Sequence, residues 1–263
     1  MQVGYRSRIR RPTSTGWTVE DWVAWLACEH MVMPVLGTSQ PVCELCYRPA
    51  ATDDAGVAFR RCYNCHAFVA DQLDQLAPIS YSHAGGLESP LRAYKSFGPE
   101  HRWLRDPLGA LLRGFLDRHW ACIERAAGRI DLVCTMPYHP GDGRDWYPLQ
   151  ELVTATNGWQ GRPWDLTAVT KTRPGKVTKK ALDPTVFQAR VDLTGAAVVV
   201  VDDTFTSGAS MASLAYALRQ AGAERIVGVT LGRQLNPEWH PESAPVLAEQ
   251  WDKPFDLARC VLE

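Results

Sequence analysis

Two acidic residues and a run of small hydroxylated residues follow a strongly apolar stretch of the chain. Val198–Val201 is a run of four valines, Asp202 and Asp203 come next, and Thr204–Ser210 supplies threonine, serine and glycine. The valines predict a buried strand, and Ala212–Gln220 predicts a helix, so Asp202–Ser210 is expected to be the loop between them. Hydroxyl groups, a glycine and a helix N-terminus together favour binding of an anion such as phosphate.

The two carboxylates indicate what else the ligand contains. Asp202 and Asp203 would repel a phosphate, but they suit a pair of sugar hydroxyls or a Mg²⁺ ion. We therefore expect a phosphorylated sugar whose diol lies beside the two acids. The stretch fits neither the GxxxxGK[ST] nor the GxGxxG nucleotide-binding pattern. A core strand followed by an ordinary polar turn is the alternative.

Residues 198–210, VVVVDDTFTSGAS, closely resemble the signature of type I phosphoribosyltransferases that binds phosphoribosyl pyrophosphate (PRPP). In that family two acids hold the ribose 2′- and 3′-hydroxyls, and the loop that follows binds the 5′-phosphate. The resemblance implies a Mg²⁺-dependent enzyme in which Asp202 and Asp203 are catalytic and orient the sugar. It implies further PRPP contacts at Thr204, Phe205, Thr206, Ser207, Gly208, Ala209 and Ser210. The 6-oxopurine enzymes usually have aspartate where Thr206 stands, which argues against hypoxanthine or guanine as acceptor.

Four cysteines nearer the N-terminus have the spacing of a tetrahedral zinc site. Cys43-x₂-Cys46 and Cys62-x₂-Cys65 are separated by 15 residues, and each pair can form a tight knuckle that turns both sulfurs to the metal. Four thiolates leave no open coordination position, which indicates structural Zn²⁺; disulfides are the alternative. We expect the metal to stabilise so small a module and its removal to leave the PRPP loop largely intact. The other cysteines, Cys28, Cys122, Cys134 and Cys260, are expected to be scattered core residues.

A zinc ribbon, a lysine-containing helix and the PRPP signature follow one another along the chain. This order resembles the ComF competence family over most of the sequence. The helix is expected over Leu87–Phe97, and Lys95 within it is a candidate PRPP contact. By the same resemblance, the loop after a strand at Ile130–Met136 contacts pyrophosphate, which makes Tyr138 and Arg144 candidates. The RGFN-type motif of the family is replaced by GRDW at 143–146, so a surface position for Arg144 stays open.

A basic segment precedes the PRPP strand. Lys171–Lys180 carries five positive charges and no acid, which excludes it from the core. Its position resembles that of the flexible catalytic loop of the transferase family, which closes over pyrophosphate, and Lys171 and Arg173 are the catalytic candidates there. A solvated run of charge is the alternative. Thr185–Val191 is expected to return from this loop as the second strand of a hairpin.

Composition is typical of a globular protein with a substantial core. The chain has 263 residues, of which 46% are hydrophobic, and its net charge is −1, so it has no overall attraction for nucleic acid or anionic membrane. No apolar run reaches membrane-spanning length, and a cytoplasmic location is expected. We expect an α/β fold of the type I phosphoribosyltransferase kind, a parallel sheet flanked by helices. The expected divisions are a basic tail over 1–17, a helix and zinc ribbon over 18–78, and the transferase-like domain over 79–263. Within the second division, Thr18 followed by Asp21 predicts a capping box at the start of a helix, and Ala67–Leu76 predicts a further short helix.

The expected activity is transfer of a phosphoribosyl group from PRPP to a small-molecule acceptor of unknown identity, with release of pyrophosphate. The alternative is a ComF-like accessory protein of DNA uptake or regulation, which contacts DNA or a protein through the zinc ribbon. Three arginines, Arg48, Arg60 and Arg61, lie in that ribbon and would contact nucleic acid in the second case. The oligomeric state is left open by the sequence.

Overall fold

A computed structural model of the protein describes residues 9–13, 15–96, 98–143, 146–155, 161–178 and 181–263. The strands are β1 (Gln75–Ser82), β2 (Leu132–Thr135), β3 (Val169–Lys171), β4 (Phe187–Ala189), β5 (Ala197–Phe205) and β6 (Arg225–Gln234). A four-stranded sheet has the order β1-β6-β5-β2, and each neighbouring pair in it is parallel. The predicted hairpin is the antiparallel pair of β3 and β4. The expected α/β class and parallel sheet are confirmed.

The helices are α1 (Val19–Cys28), α2 (Glu88–Ser96), α3 (Arg105–Ala127), α4 (Pro148–Ala155), α5 (Ala209–Gln220) and α6 (Ser243–Trp251). Short 3₁₀ helices occupy Pro99–Leu104 and Pro140–Asp142, and a π-helical turn occupies Cys65–Val69. A capping box starts α1, because the Thr18 hydroxyl accepts from the Asp21 N–H and the Asp21 carboxylate accepts from the Thr18 N–H. Among the described helices, none has the length and apolar character needed to cross a membrane.

The sheet is covered on both faces, as the continuous apolar runs in β5 and β6 require. Alternate residues of β5 point to opposite sides. Val199 and Val201 belong to a core shared with α1, α2, α3 and α4, whereas Val198 and Val200 belong to a core shared with α5, the β3–β4 hairpin and the cysteine-rich segment. Phe205 and Ala209, at the two ends of the turn after β5, belong to the second of these cores, so this turn lies on the same side of the sheet as the cysteine-rich segment.

The helix predicted over Ala67–Leu76 is wrong for most of its length. Only the turn Cys65–Val69 is helical there, and Gln75 already begins β1. Pro78 obscures this strand in the sequence, because proline cannot donate a ladder hydrogen bond; it is tolerated because β1 lies at an edge of the sheet. The expected boundary at residue 78 falls within β1.

Two further segments pack differently from expectation. α1 was assigned to the cysteine-rich module, but it packs on α3, and its buried residues Val23 and Leu26 join the core on the α3 side of the sheet. The C-terminal region contains α6, which the sequence analysis does not predict. Pro245 disguises that helix, although a proline in the first turn removes no intrahelical hydrogen bond.

Candidate functional site

The carboxyl end of β5 forms one wall of a cleft. Strands of a parallel sheet all end at the same edge, and ligands of open α/β sheets bind there. The cleft has a volume of about 130 Å³. It is lined by Lys95, Met136, Pro137, Tyr138, Tyr147, Pro148, Leu149, Gln150, Asp202 and Asp203. Four predicted site residues from three segments, namely Lys95, Tyr138, Asp202 and Asp203, are thus brought together.

The two acids of the cleft have different surroundings. Lys95 Nζ lies 2.5 Å from the Asp203 carboxylate. Asp202 is turned inward, and its carboxylate accepts a hydrogen bond from the Asp203 N–H at 2.8 Å. Burial, and then the neighbouring charge of Asp203, raise the pKa of Asp202 to about 8. The cleft therefore holds one ion-paired carboxylate and one that favours its protonated form. A bound diol or cation can lower the repulsion between these two acids.

The turn after the acids leads into α5. β5 continues further than the sequence predicts, because Thr204 and Phe205 still pair with Gly232 and Arg233 of β6. The turn proper is therefore 206–208, and α5 begins three residues earlier than predicted, at Ala209. Gly208 precedes the helix and has no side chain with which to cap it. First-turn N–H groups of a helix can then bind an external anion.

Gly208 is required by both conformation and packing. Its φ of +85° lies in the left-handed region, and a Cβ there would stand 2.6 Å from Phe205 Cζ and 2.8 Å from Val69 Cγ2. Val69 belongs to the turn that follows the second cysteine pair. On the same side of the turn, Asn64 Nδ2 donates to the Ser207 carbonyl oxygen at 3.1 Å. The turn is therefore packed directly against the cysteine-rich module.

The four cysteines of the two pairs form a buried cluster. The sulfurs of Cys43, Cys46, Cys62 and Cys65 lie within 4.8 Å of one another, and those of Cys46 and Cys62 are 3.6 Å apart. Each pair sits in a tight turn, since the Tyr47 N–H donates to the Cys43 carbonyl and the His66 N–H to the Cys62 carbonyl, both at 2.9 Å. This cluster can hold a metal ion such as zinc. His66 is exposed and stands outside it.

A buried arginine joins this cluster to the turn at 206–208. The guanidinium of Arg233, which is 2% exposed, donates to the Cys46 carbonyl at 2.7 Å and approaches the Cys46 sulfur at 3.5 Å. It also donates to the carbonyls of Phe205 at 3.0 Å and Thr206 at 2.9 Å. These partners carry no full charge unless the cysteines are thiolates, and a buried cation needs a counter-charge. Four thiolates around a divalent metal supply one.

The sequence analysis does not single out Arg233. It lies near the end of β6, two residues after the apolar run Ile226–Leu231, in a part of the strand that is still buried. An arginine is unexpected there. Desolvation opposes its charge, but the negative charge of Cys46 as a thiolate and its hydrogen bond, together with the charges of Cys62 and Cys65, hold the pKa of Arg233 above its usual value. An arginine in an otherwise buried strand is the signal that could have revealed it.

The basic hairpin is held by acids. Lys171 Nζ donates to Asp142 Oδ2 at 2.7 Å, and the Gly175 N–H donates to Asp142 Oδ1 at 2.6 Å. Burial opposes ionisation of Asp142, but these bonds keep the pKa of its carboxyl below the usual value. Arg173 pairs with Asp183 inside the hairpin. The hairpin is thus docked on the loop after β2 through Asp142, a residue that the sequence analysis does not assign to the site.

The remaining predicted site residues fall into three groups. Thr204, Thr206, Ser207 and Ser210 are partly exposed along the end of β5 and the turn. The side chains of Phe205 and Ala209 are buried, and Phe205 packs under the Arg233 guanidinium at 5.3 Å, so neither side chain can contact a ligand. Arg144 lies outside the described residues, as do Lys179 and Lys180.

A comparison with protein-family models finds no match to this chain, and a comparison with curated proteins finds none either, so the residues of the site are the basis for a functional proposal.

Proposed function

We propose that this chain is a Mg²⁺-dependent phosphoribosyltransferase that binds PRPP in the cleft at the carboxyl edge of the sheet. The observation that carries the proposal is the convergence at one edge of an acid pair, a lysine and an uncapped helix N-terminus. Asp202 and Asp203 match the sugar diol, and the turn at 206–208 with the start of α5 matches a phosphate. The two halves of the expected ligand are therefore matched by adjacent parts of one strand–turn–helix unit.

Each part has a role in this proposal. Asp202 and Asp203 hold and orient the ribose, and the N–H groups of the turn with the hydroxyls of Thr206, Ser207 and Ser210 hold the 5′-phosphate. Mg²⁺, bound with PRPP, supplies charge compensation for the departing pyrophosphate. Lys95, now paired with Asp203, is released when the diol takes its place and becomes available to an anionic group of the ligand.

The basic hairpin stands ready for a second rearrangement in this proposal. Lys171 and Arg173 form ion pairs with Asp142 and Asp183. Pyrophosphate carries more charge than either carboxylate, so it competes for the two cations when it enters the cleft. Exchange of these partners would move the hairpin over the ligand and exclude water while the glycosidic bond breaks. The acceptor then attacks the sugar from the face opposite the leaving group.

The four-cysteine cluster has a structural role in the same proposal. All four thiols are buried and leave no position for a substrate, which is typical of structural rather than catalytic zinc. Zn²⁺ is the metal that four thiolates at this spacing favour. Through Arg233 and Asn64 the cluster holds the backbone of the PRPP turn, so the metal supports the site without touching the ligand.

The test is calorimetric titration of the full chain with PRPP in the presence of Mg²⁺. We expect saturable binding by the native protein and no measurable binding by the Asp202→Asn, Asp203→Asn double variant, which keeps the shape of both side chains but removes their charge. Asp252→Asn, at an exposed position beyond α6, is the matched control and should bind as the native protein does. Absence of PRPP binding in the native protein, or equal binding by the double variant, would refute the proposal.

A second candidate function is contact with a nucleic acid or protein through the cysteine-rich module, and one observation favours it. Val57, Phe59 and Tyr63 are 62%, 52% and 79% exposed on this module. Arg60 and Arg61 adjoin them in the sequence, and this mixture of aromatic and basic side chains is typical of single-strand nucleic-acid contacts. Arg48 and Arg60 pair with Glu242 and Glu44, both at 2.7 Å, so Arg61 is the arginine of this module for which no such ion pair is seen among the described residues.

Gel-shift titrations with single- and double-stranded DNA at two salt concentrations test this second function. Binding through phosphates must weaken steeply as salt rises. Replacement of Phe59 and Tyr63 by serine should then weaken binding to single strands, whereas it should leave PRPP binding unchanged. No shift at low salt would exclude DNA and leave the module to its structural role.

A further inference from the structure

A second group of potential metal ligands lies on the opposite side of the sheet from the four-cysteine cluster. His119 and Cys122 come from α3, and Cys260 and Glu263 come from the segment after α6. One ligand atom from each of these residues lies within 4.8 Å of the other three. His119 and Cys122 are 2% and 8% exposed, and Cys260 is 4% exposed. Four ligand-type groups from two distant parts of the chain are thus gathered at one buried point.

The local backbone explains how each half of the group is presented. His119 and Cys122 are three residues apart on a helix, which places them on the same face. Cys260 and Glu263 are also three residues apart, and the Glu263 N–H reaches the Cys260 carbonyl at 3.5 Å across a turn. Each half therefore repeats the x₂ spacing of the two cysteine pairs, with a histidine and a glutamate in place of two cysteines.

The orientation of His119 points to an occupant between these groups. Its Nε2 lies 2.8 Å from the Leu257 carbonyl oxygen, which can only accept, so Nε2 carries a proton. In the neutral ring Nδ1 is then the acceptor, and it faces the Glu263 carboxylate at 3.5 Å and the Cys122 sulfur at 3.8 Å. Two acceptors at this separation need a cation or a proton between them. A ring N–H that donates to a backbone carbonyl is the usual support of a metal-bound histidine.

The distances suit a tetrahedral ion. Bond lengths of about 2.0–2.3 Å to zinc imply ligand–ligand separations of about 3.3–3.8 Å in a tetrahedron. The separations of His119 Nδ1 from Glu263 and from Cys122 are 3.5 and 3.8 Å. The Cys46–Cys62 separation in the four-cysteine cluster is 3.6 Å. These three separations all fall within the tetrahedral range, and in both groups all four ligand atoms lie within 4.8 Å of one another.

We propose that His119, Cys122, Cys260 and Glu263 form a second site for a borderline-soft divalent cation, with Zn²⁺ the best fit to two thiolates, an imidazole and a carboxylate. The site fastens the segment after α6 to α3. Leu257 in that segment is part of the core on the α3 side of the sheet. The bound ion would therefore stabilise the packing of this segment on the core. The Glu263 side chain is 47% exposed, so the ion enters from that side. This inference is independent of the proposed transferase activity.

Metal analysis of the full chain, purified with reductant and dialysed against metal-free buffer, tests the proposal. We expect about two zinc ions per chain in the native protein. Cys122→Ser with Cys260→Ser should retain about one, and Cys43→Ser with Cys62→Ser should retain the other. Cys134→Ser is the matched control, because this cysteine is equally buried but belongs to neither group; it should retain both ions.

Two further measurements keep the result interpretable if the double variants fold poorly. Glu263→Gln alters a half-exposed side chain and should keep the fold. Loss of an outer-shell partner already weakens metal sites about 10–100-fold, so this variant should lose one zinc to a competing chelator at least that much more readily. Cobalt titration of the native chain should fill two tetrahedral sites, and in Glu263→Gln one of the two should fill less readily.

Three results would overturn the proposal. The first is one zinc per native chain that Cys122→Ser with Cys260→Ser retains. The second is a disulfide between Cys122 and Cys260 in the reduced material. The third is an unchanged chelator response in Glu263→Gln together with a single tetrahedral cobalt site in the native chain, which would mean that a proton shared by His119 and Glu263 lies between these groups.

Discussion

The four-cysteine cluster and the acid pair at the end of β5 both bring like groups together, but one is closed and the other is open. The cysteines are buried, and Arg233 lies against them. Asp202 and Asp203 border a cleft, and one lysine partly offsets their charge. The charge of the buried cysteines needs a permanent counter-ion, which suits a structural metal. The charge of the acids in the cleft can be compensated by a ligand that binds and leaves, which suits a substrate.

Arg233 shows that these two regions depend on each other. The expectation that the loop after β5 is independent of the cysteine-rich module has to be revised, because the guanidinium donates to the carbonyls of Cys46, Phe205 and Thr206, the last of which belongs to the turn. Gly208 also packs on Val69 of the module. Disturbance of the closed region should therefore reach the open one, and the size of the effect should fall with distance from the cluster.

The largest effect should come from removal of the metal. We expect Cys43→Ser with Cys62→Ser to lower the free energy of unfolding by more than about 5 kcal/mol, since structural zinc sites contribute about 10–16 kcal/mol in small domains. PRPP affinity should fall as well, because the turn loses its support. Chemical denaturation and calorimetry measure the two quantities. Cys28→Ser, at an exposed cysteine, is the control. Unchanged PRPP affinity in the double variant would show that the turn does not depend on the cysteine cluster.

Arg233→Met should have the next largest effect. The substitution leaves the carbonyls of Cys46, Phe205 and Thr206 without their donor, and loss of one member of a buried charged network costs about 3–5 kcal/mol. Arg225→Met, at the exposed start of the same strand, removes a 3.4 Å ion pair with Asp74 and should cost less than about 1 kcal/mol. Denaturant titration of both variants gives the comparison, and equal losses would show that Arg233 is an ordinary strand residue.

Gly208→Ala should have a smaller effect that is specific to the turn. Gly208 and Gly56 both have left-handed φ values, +85° and +79°, but a Cβ at Gly56 meets nothing within 4 Å. Gly208→Ala should therefore cost about 1–3 kcal/mol more than Gly56→Ala, because it overpacks the contact with Phe205 and Val69. Thermal unfolding of both variants measures the difference. A similar loss at the two positions would mean that backbone strain alone matters at Gly208.

The smallest effect concerns pH. The pKa of Asp202 is raised to about 8, against an ordinary value of about 4 in the unfolded chain. Between these values the folded protein holds the proton more tightly, so the contribution of this group favours folding at low pH and is lost as pH rises from about 4 to about 8. We expect Asp202→Asn to gain stability relative to the native protein by about 1 kcal/mol over this interval, since cleft water screens the charges. A constant difference across the interval would contradict this assignment.

The sequence predicts those parts of the structure whose signals are local. The capping box at Thr18 marks the start of α1, the two cysteine pairs mark their cluster, and the valines mark β5. β1 and α6 are missed, because Pro78 and Pro245 are compatible with their elements only at an edge strand and in a first helical turn. Neither position is visible in a single sequence.

The functional site is predictable to the same extent. Asp202 and Asp203 are adjacent in the sequence, and their resemblance to a known pattern identifies them. Arg233 contacts segments at least 27 residues away, and Asp142 contacts a hairpin at least 29 residues away. Periodicity carries no information about such pairs. The same limit explains why Cys122 and Cys260, 138 residues apart, look like isolated core cysteines until the chain is folded.

The most direct test of the PRPP site is an amide NMR titration of the isotope-labelled protein with PRPP and Mg²⁺. We predict that the largest shifts occur at the amides of Asp203, Ser207, Gly208 and Ser210, with smaller shifts at Cys46 transmitted through Arg233 and none at Cys122. Shifts confined to the module surface around Phe59 and Tyr63, or none in the turn at saturating PRPP, would contradict the assignment of the cleft as the ligand site.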